Sequence, residues 1–220
     1  MYLFRLALGY VAMTEYLGIV SINISLLIYL FYFFPQIIYN HMLHKADGIS
    51  YTTQSMMVLA NLLDLVYGFG SIQNWQYRLV TIITLFCLMA QKYQIYRDSK
   101  NKSLFLHLGV IIIFFLAVLV TFNVDMLSSL ALDLVGYASV GLYSIYWLPQ
   151  IVKNYQLKRA DGFNVYFIYL TIIALICDEI SSLVFSWPLP SILSPPLIIA
   201  FLIVIILQKS YYKKKYSSRL

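Results

Sequence analysis

The chain is written in long apolar runs divided by short polar breaks, not in the alternation of half-buried strands. Seven runs are long enough to be helical crossings: Ile19 to Met42, Tyr51 to Ile72, Tyr77 to Tyr96, Leu104 to Asn123, Asp133 to Tyr155, Asn164 to Phe185 and Ser191 to Gln208. The hydrocarbon core of a bilayer is roughly 30 Å thick and takes about 20 helical residues to cross. Inside lipid a continuous apolar segment must satisfy its own backbone, which a helix does internally and a lone strand does not. The pattern therefore predicts an all-α integral membrane protein. Residues 1–18 form a lead-in on the extracytoplasmic or lumenal side; Glu15 interrupts their apolar run and no basic cluster precedes it, so a cleaved signal peptide is not expected.

The polar positions inside the runs repeat. Tyr32-Phe33-Phe34-Pro35-Gln36-Ile37-Ile38-Tyr39-Asn40 returns as Tyr146-Trp147-Leu148-Pro149-Gln150-Ile151-Val152-Lys153-Asn154, and Asp47-Gly48 returns as Asp161-Gly162, all at a shift of 114 residues. One membrane unit is thus written twice in the same direction. Residues 19–97 form the first three-helix repeat and 133–208 the second. Three crossings invert the chain, so a fourth, within the linker 98–132, has to carry it back before a parallel copy begins. His107 lies in this connector without a second His or Cys, so it is read as structural and not as a metal ligand.

Composition agrees: 61% of residues are hydrophobic and 11% charged, too little polar surface for a soluble domain of 220 residues. The net charge of +6 does not point to nucleic acid, because the cations sit at span ends. With seven spans and a cytoplasmic C-terminus, Lys45, Lys92, Arg97, Lys100, Lys102, Lys153, Lys158, Arg159, Lys209, Lys213, Lys214, Lys215 and Arg219 all fall on the cytoplasmic side, 13 of 15 basic residues. The N-terminus is then extracytoplasmic or lumenal, and the basic tail 209–220 lies against an anionic leaflet. The host membrane, lysosomal, vacuolar or bacterial, stays open, as does the oligomeric state. Cys87 and Cys177 fall inside spans and say nothing of redox compartment.

The doubled Tyr-x-x-Pro-Gln-Ile tract, with Asn40 and Asn154 and the glycine turns beyond them, resembles the PQ-loop family, which includes cystinosin and lysosomal and vacuolar cationic amino acid exporters and, more distantly, the SWEET sugar carriers. The endings Gln91-Lys-Tyr-Gln-Ile-Tyr96-Arg97 and Gln208-Lys-Ser-Tyr-Tyr212-Lys213 resemble the close of each family repeat. The resemblance implies two parallel three-helix bundles joined by a linker helix, a 3+1+3 arrangement around a central site that works by alternating access. It also implies a coupling Asp on the second helix of a repeat. The positions where cystinosin-like sequences carry it hold Thr53 and Thr171 here, so that site does not transfer directly.

Several residues carry the chemistry. Pro35 and Pro149 each remove a backbone donor and displace the carbonyl four residues back, so they are read as hinges in the first helix of each repeat. Gln36 and Gln150 beside them either re-satisfy the backbone and bridge helices or join Tyr32, Tyr146, Asn61 and Thr171 in lining a solute cavity. Asp64 lies 29 residues after Pro35 and Asp178 lies 29 after Pro149. An ionised Asp at mid-membrane costs roughly 2.5 to 3.5 kcal/mol, so the pair is expected to bind protons or a cationic solute group, unless both acids mark helix ends at the water boundary. The Asp-Gly segments are read as turns in which Asp caps the next helix.

These readings predict a secondary carrier for a small polar solute, an amino acid first, proton-coupled through Asp64 or Asp178. A SWEET-like uncoupled sugar facilitator is the nearest rival. A receptor of the same fold would need an intramembrane basic cluster, which the spans lack. No Ser/His/Asp set, metal cluster or phosphate-cradling loop is present, so no enzyme activity, cofactor or metal is expected.

Overall fold

The computed structural model describes residues 2–43, 46–71, 73–98, 120–121 and 123–217 of the chain. Eight α-helices carry the architecture: α1 Tyr2–Phe31, α2 Phe34–Leu43, α3 Tyr51–Gly70, α4 Trp75–Asp98, α5 Ser129–Tyr143, α6 Leu148–Leu157, α7 Val165–Val184 and α8 Leu189–Ser217. Among the described residues they make six rods, because α1 with α2 and α5 with α6 are single rods broken beside a proline. Of the expected fourth span, Leu104 to Asn123, residues 104–119 with His107, and residue 122, lie outside the described residues.

Four stretches, Met13–Met42, Trp75–Asp98, Val165–Val184 and Leu189–Lys215, are long and apolar enough to cross a membrane. The chain is a multi-pass integral membrane protein. α3 is as long as α7 but carries Thr, Gln, Asn and Asp along one helix, and α5–α6 is interrupted, so these two crossings read less clearly by composition alone.

Both breaks follow from the chemistry of proline. In the first rod the helix stops at Phe31, turns through Tyr32 and Phe33, and resumes at Phe34 with Pro35 as the second helical residue. A proline there lacks only an N–H that would have had no partner in a helix's first turn. In the second rod the interruption spans 144–147, with the tighter Ile145 N to Leu142 O bond of 3.1 Å, before α6 opens on Leu148-Pro149. Pro195 and Pro196 do not interrupt α8 in this way; the helix runs on through them.

Two expected boundaries shift. The lead-in is helical from Tyr2, and the basic tail continues α8 as far as Ser217. The caps shift as well. Ser50 Oγ accepts from Thr53 N at 3.3 Å and Asn164 Oδ1 accepts from Tyr166 N at 2.8 Å, so the helix starts after the turns are capped three residues beyond Asp47 and Asp161.

In each half the third helix packs between the first two: α4 touches α1 and α3, and α8 touches α5 and α7. The halves meet along α1 against α7 and α3 against α5. The six crossings therefore form a closed ring, α1–α4–α3–α5–α8–α7, with the first helix of each half against the second helix of the other. A pseudo-twofold axis runs through the centre of the ring, and the internal side chains face it.

Candidate functional site

At one end of the ring the two Asp-Gly turns meet on the pseudo-twofold axis. A Cβ built on Gly48 would lie 2.7 Å from Gly162 Cα, and one on Gly162 would lie 2.4 Å from Gly48 O, so nothing larger than glycine fits in either turn as they stand. This contact is secured by reciprocal hydrogen bonds between halves. Gln36 Nε2 donates to Gly162 O at 3.0 Å, and its Oε1 accepts from Asn164 N at 2.6 Å. Gln150 Nε2 donates to Gly48 O at 3.0 Å, and its Oε1 accepts from Ser50 N at 2.6 Å. Tyr39 OH donates to Asp161 O at 2.9 Å, and Lys153 Nζ, at the matching position of the second half, donates to Ile49 O at 2.8 Å.

Each glutamine is itself held in place. Gln36 Nε2 also donates to Asn40 Oδ1, and Asn40 Nδ2 donates to Gln94 Oε1, whose amide donates in turn to Ile37 O, the carbonyl next to Gln36. The second half repeats the chain through Gln150, Asn154, Gln208 and Ile151. Gln94, not Gln91, is thus the counterpart of Gln208; Gln91 is fully buried on α4 and does not join this network. The exact 114-residue spacing from Gln94 to Gln208 was the signal in the sequence that identifies the pair.

Above the turns an aromatic layer fills the centre of the ring. Phe33 and Tyr32 pack on Phe167 with centroids 5.0 and 5.5 Å apart, Phe167 stacks on Phe163 at 5.7 Å, and Trp147 meets Phe163 at 5.0 Å and Tyr146 at 5.2 Å. Phe33, Trp147, Phe163 and Phe167 are almost wholly buried. The turn end is therefore closed twice, by stacked rings and by the turn-to-turn contact beneath them.

On the far side of the rings lies a cavity of about 120 Å³, room for several waters or a small solute. Its wall includes Tyr32, Tyr146, Asn61, Thr171, Asp64 and Asp178, so the structure brings six of the sequence-derived candidates together. Both acids face into the ring and do not mark a helix end. Gln36 and Gln150 stand apart from this wall, buried at the turns, where they bridge the halves. Pro35 and Pro149 lie below the aromatic layer, at the starts of α2 and α6.

The two acids are held differently. Asp64 accepts from Tyr77 OH and, at 3.4 Å, from Thr81 Oγ1, both on α4 of its own half, while Tyr143 of the other half faces it. Asp178 accepts from Ser25 Oγ and, at 2.9 Å, from Tyr29 OH, both on α1 of the other half. The difference is written in the duplication: Tyr77 and Thr81 correspond to Ser191 and Pro195, which offer Asp178 no equivalent pair of donors. Tyr29, Ser25, Tyr77 and Thr81 were not singled out from sequence, since hydroxyl side chains on apolar helices give no periodic signal.

Asn61 lies one turn before Asp64, and its Oδ1 is buried on the cavity wall without a partner among the described residues. Thr171 donates to Phe167 O at 2.7 Å, leaving its oxygen lone pairs toward the cavity. Tyr32 OH lies 3.2 Å from Thr84 Oγ1 and ties the aromatic layer to α4. Among the described residues no group of His, Cys, Asp and Glu is arranged to hold a metal.

The PQ loop repeat pattern matches this chain twice, at residues 17–77 and 131–191. Comparison with curated proteins gives no match. Among solved structures the chain is similar to one described as a eukaryotic SWEET transporter, at a TM-score of 0.67 and 13% identity, covering 92% of this chain and 99% of that one. At that identity the likeness is one of fold.

Proposed function

The chain belongs to the PQ-loop repeat family, whose members are membrane transporters and not enzymes, and from that premise we propose that it is a proton-coupled secondary carrier of a small polar solute, an amino acid first among candidates. In this reading it has seven spans in a 3+1+3 order, the fourth crossing falling at 104–123, since a parallel second copy requires an even number of crossings before it. The basic turn end faces the cytoplasm.

The single observation that carries the proposal is that Asp64 and Asp178, one from each half, line one cavity between the halves. A site on the axis between two moving bodies is the place where alternating access exposes a solute to one side and then the other. A carboxylate there needs a charge partner or a proton once its hydroxyl donors move away. Asp178 is the better coupling residue, because both of its donors sit on α1 of the opposite half: separating α1 from α7 strips that carboxylate of them, which links its affinity for a proton to the conformational step. Asp64 has two donors on α4 of its own half, which stay with it when the halves separate, and is suited to the solute's cationic group.

The structure is the state closed at the turns. The opposite transition has to part Gly48 from Gly162, break the reciprocal Gln36 and Gln150 bonds and unstack the rings, with the rods bending at 32–33 and 144–147. Amino acid uptake into proteoliposomes under an imposed pH gradient tests the proposal: accumulation that follows the gradient is expected, and uptake of sugars that ignores it would instead favour an uncoupled facilitator of the kind the fold likeness brings to mind.

A further inference from the structure

The second half carries a basic groove whose α8 cations, Lys209 and Lys213, have no basic counterpart in the first half, while His44 and Lys45 stand at the positions of Lys158 and Arg159. Lys158, Arg159, Lys209 and Lys213 line a cavity of about 440 Å³ between the α6–α7 turn and α8, with Asp161 the one acid of the lining. That acid stands 3.6 Å from Arg159 Nε, so the groove keeps a strong positive excess. One wall is apolar and is made by Val165, Tyr169 and Ile206. Lys158 closes α6 in the left-handed conformation, φ 52°, which turns the chain sharply at the edge of the groove.

Duplication supplies an internal control. Devices of the carrier itself appear in both halves, as the Gln, Asn and Gly sets do. The positions of Lys209, Tyr212 and Lys213 are occupied in the first half by Ile95, Asp98 and Ser99. The position of Ile206 is taken by Lys92, whose Nζ is buried, donates to Ser55 Oγ at 2.9 Å and lies 4.4 Å from the centre of the Tyr51 ring. Lys209 and Lys213, present in one copy and beside an apolar wall, are not a requirement of the symmetric transport path. Orientation of the chain in the membrane asks only for cations near the surface, not for a concave site with an apolar side.

We propose that this groove binds the phosphate headgroup of an anionic phospholipid, with the cations on the phosphate and the acyl chains along Val165, Tyr169 and Ile206. The groove is joined to the closed end, because Lys209 Nζ donates to Ala160 O at 2.7 Å and Phe163 O at 2.8 Å, on either side of the Asp161-Gly162 turn.

Native mass spectrometry of the full chain in detergent, titrated with phosphatidylinositol phosphate or with phosphatidylcholine, tests it. The expected result is preferential retention of one anionic lipid, weakened about 10-fold in R159Q/K213Q and less than about 2-fold in K214Q/K215Q, which removes the same charge from α8 outside the groove. Thermal unfolding without lipid checks that both variants fold; if R159Q/K213Q does not, Lys213→Gln alone, at an exposed position, takes its place. Equal losses in the two pairs, or equal retention of phosphatidylcholine, would overturn the site. Displacement of the lipid by an inositol phosphate without acyl chains at equal concentration would overturn the lipid as its source and assign the phosphate to a soluble ligand.

Discussion

Asp178 and Asp64 sit at matching positions but have different donors: both of those on Asp178 lie on α1 of the other half, while Asp64 accepts from Tyr77 and Thr81 of its own half and is faced by Tyr143 of the other. Replacing Asp178 by Asn keeps its shape and most of its hydrogen bonding while removing its charge. We expect D178N to lose accumulation driven by a pH gradient by about 10-fold or more, yet to keep exchange of solute between equal pools, which needs no net proton movement; counterflow in proteoliposomes measures the second. D64N is expected to raise the half-saturating solute concentration by about 10-fold, the effect of about 1.4 kcal/mol, with the pH response retained. Equal phenotypes in both variants would show that the differing donors of the two acids have no functional weight. At the same scale, Gln36→Leu leaves Gly162 O and Asn164 N without their buried partner. It should weaken the closed end by about 1 to 3 kcal/mol, read as greater reactivity of a cysteine placed at Phe163 toward a polar reagent added from the turn side.

In the proposed cycle the broken rods bend and the two glycine turns part, and they make separate predictions. Pro35→Ala restores a donor four residues after Phe31 and stiffens the first rod. The expected outcome is a several-fold slower transport rate with solute affinity unchanged; a static kink would leave the rate as it was. Gly162→Ala places a methyl group against Gly48 O, so the turns are unable to meet. That variant is expected to remain accessible from the turn side at all times and to lose net transport while still binding solute, a combination that thermal shift and uptake distinguish together. Much at this scale was legible in the sequence, because the repeated tract at a 114-residue spacing marks both rods, both turns and both acids. The partner of each glutamine was not legible. Gln36 bonds to the other half's turn, and a spacing within one copy says nothing about which copy's turn it meets. Likewise Ser50 and Asn164 cap α3 and α7 in place of the aspartates, since Asp, Ser and Asn are nearly equal as caps and only the local turn decides among them.

For the whole molecule, the ring α1–α4–α3–α5–α8–α7 explains how two copies make one site. Each half contributes its first and second helices to opposite interfaces, so both interfaces pair elements of the two copies. Apolar runs mark candidate crossings but not their neighbours, which is why the order within each half, third helix in the middle, was not readable from hydropathy. The ring also ties the two ends together. With the turn end sealed by the Gly48–Gly162 contact and the rings of Phe33, Phe163, Phe167 and Trp147, the cavity lies beyond them, around the two acids, and it is there that the proposed carrier would hold its solute. The most direct measurement is accumulation of labelled amino acids in proteoliposomes under a pH gradient, comparing the native chain with D64N/D178N. The account predicts uphill accumulation by the native chain and none by the double variant, at equal protein incorporation. Undiminished uphill accumulation by D64N/D178N would contradict it.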